Sequence, residues 1–594
     1  MKIKTWHALV FLSCAVLVAY YPAFSAPFNL VDDSRLVNHL MSRTDFTWRD
    51  LIIPDSSSYY RPLVNSSFVF DRIVWGMEAP LMHMENILLH LLNTFLLFSL
   101  TKQICRTHAL HSQGIPLATA LIFGLHAINS EAVVWVAGRA DLLVGLFVLL
   151  TLNAFWLYLV SRKTSWILLA AICFFLGTLS KETALFLLPG LFLLSMTRNG
   201  RQSLGNRQPG KSLVKNVFLM SPFVVGTTGY FLIRSWALRG RDLGLKHVVQ
   251  LATDAGSSVG VGQHVSDTQV IETISLVGPL LVKAEQALKI SGFYAKKLFW
   301  PFPLNFGIIN VPEGYFWVGL LLILTAVALL WRRTLAGNLA LTAMCLASIS
   351  LLVSFGEVSW TPVAERYMYA PSAVFCLSCT LGFAELPGLR HPHRQVALIA
   401  CVLLVFFVGT FQRCQIWQDN VSLFSDTVEK SPEFSSAKNE LALALLARGE
   451  KEQAYDILRS LELPDFQAAS LNKIMVLVYD GRLHEARALL LERLQNPGSY
   501  ETIIQLKLIK VLESMMLSAT NEPQKLEYRE EALFYLKKVW QKTKDPFYLY
   551  RMGQLRLAAG DEAGARESFK RAAKLLPDDS LYKEPAKKLA ESFK

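Results

Sequence analysis

Cysteine is scarce in this chain and charge is thin: 8 of the 594 residues are cysteine, and charged side chains make up 18%. Six of the cysteines (14, 173, 345, 376, 379 and 401) lie in apolar segments, Cys105 and Cys414 lie at segment ends, and none follows Cys414. That distribution excludes a disulfide framework or a zinc cluster, and it makes Cys376-Leu377-Ser378-Cys379, inside an apolar run, a packing element rather than a redox motif. A concentrated basic groove is missing as well. The chain has 59 Lys and Arg against 47 Asp and Glu, but acids and bases nearly balance after Arg413. The surplus therefore belongs to the apolar part, where it reads as membrane topology and not as a nucleic-acid surface. The inverted repeats with broken midplane helices that mark many transporters are also not visible.

Apolar sequence is abundant. Hydrophobic residues make up 52% of the chain and aromatic residues 11%, gathered in long runs, which predicts an integral membrane protein. Runs near 20 residues qualify as spans, and eleven are placed at about 7–24, 84–101, 116–131, 141–160, 165–180, 183–196, 216–234, 315–331, 337–355, 368–386 and 394–411. Residues 1–26 resemble a signal peptide, with Lys2, Lys4 and Phe24-Ser25-Ala26, but the many spans that follow favour an uncleaved first helix. Positive residues are retained on the cytoplasmic side. Lys2/Lys4, Lys102/Arg106, Arg162/Lys163, the run from Arg198 to Lys215, Arg332/Arg333 and Arg390/Arg394 mark loops of that parity. The opposite side receives 25–83, 132–140, the Ser180-Lys181-Glu182 turn, 235–314, 356–367 and everything after 412. The N-terminus is thus expected inside and the C-terminal region outside. Within 235–314, the lysines and aromatics of Leu288 to Trp300 predict a helix lying in the membrane interface, ended by Pro301 and Pro303. Gly256 to Gly262 reads as a mobile loop.

After Arg413 the pattern becomes that of amphipathic soluble helices, with an internal repeat. Gly449 is followed by Ala454 and Pro464, Gly481 by Ala486 and Pro497, and Gly560 by Ala565 and Pro577. A turn glycine, a small contact residue and a closing proline resemble the helix-turn-helix unit of tetratricopeptide repeats, with an irregular helical stretch at 499–542. Such units stack as a solenoid and bind peptides or proteins. The predicted fold is all-α: a polytopic membrane bundle over 1–411, then a repeat domain over 412–594.

Polar groups in and beside spans are costly, so function is sought there. Asn29-Leu30-Val31-Asp32-Asp33-Ser34-Arg35 places two carboxylates just beyond the first span, with Tyr59-Tyr60-Arg61-Pro62-Leu63 downstream. His83, Asn86, His90 and Asn93 share one helix face, either hydrogen-bonding between helices or lining a substrate site. The histidines stand two turns apart, too far for a shared zinc without a bend. His126 and Glu131 precede Gly138-Arg139-Ala140-Asp141, where Arg139 and Asp141 either pair or serve a site. Lys181 and Glu182 form a charged turn, solvated or functional. Glu365 and Arg366 open the tenth span within Pro362 to Ser372, and a guanidinium fork suits phosphate; a snorkelling arginine at the interface is the plainer reading.

Together these motifs, in this order, resemble the transmembrane, tetratricopeptide-repeat-containing O-mannosyltransferases and their bacterial relatives, of the GT-C glycosyltransferase class. The resemblance covers almost the whole chain. It implies a polyprenyl-phosphate sugar donor, with mannose a candidate sugar, a protein or glycan acceptor hydroxyl presented from outside, inversion at the anomeric carbon, and a bacterial inner membrane. On that template Asp32 is the general base and Asp33 orients it or shares the role. Arg366 neutralises the leaving phosphate, with Arg61 or Arg139 as second candidates, and Glu365 fixes the arginine. His83, His90, His126, Glu131, Asp141, Lys181 and Glu182 are supporting residues. No cofactor is implied, and adjacent acids without further oxygen ligands make only a weak divalent-metal site, so metal dependence stays open. The chain departs from the pattern at Ala127, where a proline is usual, and in its shorter repeat array. Competing readings are a non-catalytic membrane scaffold, for which one span would suffice, and a polysaccharide ligase or transporter with a similar bundle.

Overall fold

The computed structural model describes residues 5–41, 51–52, 60–108, 114–197, 209–238, 277–355, 361–385, 392–461, 474, 476–495, 501–576, 580 and 582–592. The glycine-rich segment 256–262 and the closing prolines Pro464, Pro497 and Pro577 lie outside them. The regular structure of the described residues is helical, without a strand; one isolated bridge joins Ile308 to Val363. Two compact units divide between Glu440 and Leu441. Residues 412–440 pack in the first unit: Asn420 Nδ2 donates to Phe28 O at 3.1 Å and Asn305 Nδ2 to Ser431 Oγ at 2.9 Å.

All eleven expected segments fall on helices. Among the described residues six helices are long and apolar enough to cross a membrane, or seven if a pair bent by 44° (Gly114–Gly124 and Ala127–Val134) counts as one span. Thr5–Ala19, Thr164–Ser180 and Glu182–Ser195 are apolar but shorter. The protein is thus a multi-pass membrane protein by the length and composition of its helices.

The bend positions Glu131, and it needs no proline at 127. A break frees carbonyls that a bilayer cannot solvate, and here side chains receive them. Asn129 Nδ2 donates to Phe123 O at 3.0 Å, Thr410 Oγ1 to Leu125 O at 2.9 Å, and His90 Nε2 is 3.1 Å from Gly124 O. His126 caps the second half by accepting from Ile128 N, while its Nε2 meets Leu298 O at 2.9 Å.

The helix expected to lie in the interface runs farther, over Val277–Phe299, and packs against Tyr315–Arg332. Glycines make the crossing: a Cβ on Gly292 would stand 2.1 Å from Tyr315 O, and one on Gly319 2.1 Å from Leu288 O. Gly292→Ala is therefore expected to force the helices apart at a cost of about 1–3 kcal/mol, read as a lower melting temperature of the detergent-solubilised protein. An unchanged midpoint would rule out this crossing.

In the second unit, consecutive helices from Leu483–Arg493 to Lys583–Ser592 each pack against their neighbours in sequence. Gly449, Gly481 and Gly560 take left-handed φ values of +87°, +75° and +76° at turns, a conformation that glycine adopts at no steric cost. The partner alanines Ala454, Ala486 and Ala565 are fully buried.

Candidate functional site

Asp32 and Asp33 have different surroundings. Asp32 is exposed, whereas Asp33 is buried and accepts from Asn29 N at 3.1 Å through Oδ2 and from Ala137 N at 2.8 Å through Oδ1. Burial pushes the Asp33 carboxyl up to about 7, against those two hydrogen bonds, with the charge of Asp32 adding to the rise. Asp33 thus ties the loop after the first helix to the segment Trp135–Gly138.

That segment leads to the arginine. The Arg366 guanidinium carbon lies 4.7 Å from the centre of the Trp135 ring and 4.9 Å from that of Tyr367. Its Nη1 meets Glu131 Oε1 at 2.5 Å, and Glu131 Oε2 accepts from the backbone N–H groups of Glu365 and Arg366 at 3.0 and 3.3 Å. One carboxylate therefore fixes both backbone and side chain of Arg366, a task the sequence reading assigned to Glu365. Glu365 instead pairs with Lys297 at 2.6 Å and accepts from Asn305 N at 3.2 Å. Arg366 is buried and ion-paired, so it is not a snorkelling interfacial residue.

Lys181 and Glu182 are not a solvated turn. Lys181 is buried, pairs with Asp141 at 2.5 Å and lies 5.1 Å from the centre of the Tyr367 ring, which Arg366 also approaches. Burial draws its ammonium down to about 8 against the pull of Asp141, and the charges of Arg61 and Arg366 lower it further. Glu182 bridges two arginines, Arg61 at 3.1 Å and Arg234 at 2.9 Å, and Arg234 also donates to Tyr230 Oη at 3.1 Å. Five cations (Arg61, Lys181, Arg234, Lys297, Arg366) thus stand with four carboxylates (Glu131, Asp141, Glu182, Glu365).

Arg139 and Asp141 do not pair with one another. Arg139, 1% exposed, is clasped by Asp71 at 2.5 Å and Glu85 at 3.0 Å and donates to Asn86 Oδ1 at 3.0 Å. Burial and the shared contact with Glu85 raise the Asp71 carboxyl, against the pull of Arg139. The histidine and asparagine stripe is committed to neighbouring elements. His83 meets Ala26 O at 3.1 Å, Asn86 donates to Val133 O and Trp135 O, and His90 and Asn93 converge on Tyr369 Oη at 2.8 and 2.9 Å. Tyr369 comes this close because Gly145 has no side chain: a Cβ there would meet the ring at 2.6 Å. Among the described residues no group of three or more His, Cys, Asp or Glu is gathered as a metal-ligand set.

Curated relatives match most of this chain. Protein O-mannosyl-transferase TMTC4 of Homo sapiens is 25% identical over 492 residues, 72% of this chain. The chain resembles protein O-mannosyl-transferases. F38B6.6 of Caenorhabditis elegans, with the same descriptive name, is 22% identical over 459 residues and 72% of the chain, and human TMTC1 is 25% identical over 498 residues and 73%. These alignments cover 62%, 58% and 51% of the three relatives, so the chain spans between half and two thirds of their length. No protein-family model matches it.

Sequence reasoning missed Arg234, Lys297, Asp71 and Glu85. Arg234 carried a usable signal, a lone cation at the end of an apolar run. Lys297 was hidden among the lysines of a helix read as interfacial.

Proposed function

We propose that this protein is an inverting glycosyltransferase of the GT-C class, moving a sugar from a polyprenyl-phosphate donor to a hydroxyl of a protein or glycan acceptor at the outer face of the membrane. The observation that carries it is an exposed acid, Asp32, beside Asp33, whose buried carboxylate holds Ala137 two residues from the Trp135 ring that carries the ion-paired Arg366. As the acceptor oxygen bonds to the anomeric carbon, the bond from that carbon to the phosphate oxygen breaks, the acceptor proton passes to Asp32, and polyprenyl phosphate leaves. Arg366 and Lys181 receive the charge that develops on the leaving phosphate, with Arg61 behind them. Preorganised donors in a dry site are worth most at this step. Asp33 holds the loop and Glu131 aims Arg366.

On this reading the eleven helical segments form the bundle, the N-terminus is cytoplasmic, and the second unit is a tetratricopeptide-type solenoid outside a bacterial inner membrane that presents the acceptor. Mannose is the first sugar to test. Radiolabelled polyprenyl-phosphate sugars incubated with membranes containing the protein should label an acceptor, whereas membranes lacking it should not; no incorporation from any donor would overturn the proposal.

Lys181 sets a pH limit. If its ammonium serves the leaving phosphate, transfer falls as pH rises past about 8, where the group loses its proton. Stability moves the other way. The folded pKa lies below the ordinary value of 10.5, so the unfolded chain binds the extra proton between these values and the penalty of burying the ammonium is relieved as pH rises across that window. A decline in rate with no drop in melting temperature is expected, and Lys181→Arg should move the decline to higher pH. A pH profile unchanged by Lys181→Arg would remove Lys181 from the mechanism.

A further inference from the structure

Trp135 stands between the two halves of the candidate site and carries a polar group that its protein surroundings do not satisfy. Its backbone is fully engaged: the N–H donates to Glu131 O at 3.1 Å and the carbonyl accepts from Asn86 Nδ2 at 3.0 Å. Two residues later, Ala137 N holds Asp33. The ring carries the Arg366 guanidinium 4.7 Å from its centre and meets Phe306 edge-on, with centroids 5.5 Å apart at 90°. The residue is 4% exposed, yet its Nε1–H finds no acceptor among the described residues. Buried indole N–H groups ordinarily have a partner. Phenylalanine would keep an aromatic face for Phe306 and Arg366, smaller than indole and a weaker partner for a cation; the N–H is the polar group it would lack.

We propose that Trp135 binds the headgroup of the lipid-linked sugar donor, its indole N–H donating to a donor oxygen beside Arg366 while its face steadies the guanidinium. This rests on the glycosyltransferase reading above. It makes Trp135 a donor-binding residue that couples the arginine to the segment holding the acid pair.

The test is Trp135→Phe in the purified full chain, which keeps an aromatic face for Arg366 and Phe306 and removes the N–H. Binding of polyprenyl-phosphate mannose and of polyprenyl monophosphate is measured beside the melting temperature and the kinetics of transfer. Loss of one hydrogen bond predicts about a tenfold weaker Kd for the mannose donor, a matching rise in KM and little change in kcat, beside the drop in melting temperature that the smaller ring brings. A loss shared by both lipids puts the accepting oxygen on the phosphate, and a loss confined to the mannose donor puts it on the sugar. Should the variant not purify as a single species, benzothienylalanine at 135, which replaces the N–H by sulfur, gives the same readout. Wild-type Kd and KM after removal of the N–H overturn the inference and leave the functional reading standing. Failure of the wild-type chain to bind either lipid overturns both.

Discussion

Asp32→Asn is expected to abolish sugar transfer while leaving the membrane fold and donor binding largely intact. Positioned proton transfer contributes about 10²–10⁴-fold, and the amide cannot take the acceptor proton. The two acids separate cleanly in this respect. Asp32 is exposed, whereas both oxygens of Asp33 are occupied by backbone N–H groups. Asp33→Asn, which can no longer accept at both positions, should act mainly through stability, because it loosens the loop from Ala137. Single-turnover rates and thermal midpoints of the two purified variants make the distinction, and full turnover by Asp32→Asn would falsify the assignment of the base.

The second large effect is expected at Arg366. Arg366→Lys keeps the charge but loses the planar fork that spans Glu131 and an incoming phosphate, and a loss of about 10²–10³ in kcat is expected, the scale for removing one preorganised donor to a developing anion. Arg366→Ala is a poorer test: it leaves Glu131, 1% exposed, as an unpaired buried carboxylate, at about 3–5 kcal/mol. A misfolded alanine variant would be uninformative about catalysis. Wild-type kcat in a monodisperse Arg366→Lys protein would remove Arg366 from the phosphate site.

Much of this was legible in the sequence where the information is local. The helices follow from apolar runs that no soluble fold would hide, and the left-handed turns at Gly449, Gly481 and Gly560 follow from the residue type. The candidate residues were found for the same reason, since a charge beside a span is conspicuous. Their partners were not legible. Arg139 pairs with Asp71, 68 residues earlier, and not with Asp141 two residues on; Glu365 reaches back 68 residues to Lys297, and Glu182 forward 52 residues to Arg234. Periodicity says which face of a helix a charge occupies, but tertiary packing decides what faces it. The bend at His126 was hidden in the same way, because beside the local Asn129 its support comes from Thr410, His90 and Leu298, each distant in sequence.

The charge pairs also carry an order of assembly. A chain emerging into a membrane from its N-terminus can close Asp71 and Glu85 on Arg139, Asp141 on Lys181, and Glu182 on Arg61 and Arg234, all before residue 235 has been made. Glu131 is the exception among them: its partner Arg366 arrives 235 residues later. The first half of the bundle can therefore settle its own ions early and wait with one acid still unmatched until residue 366 has been made.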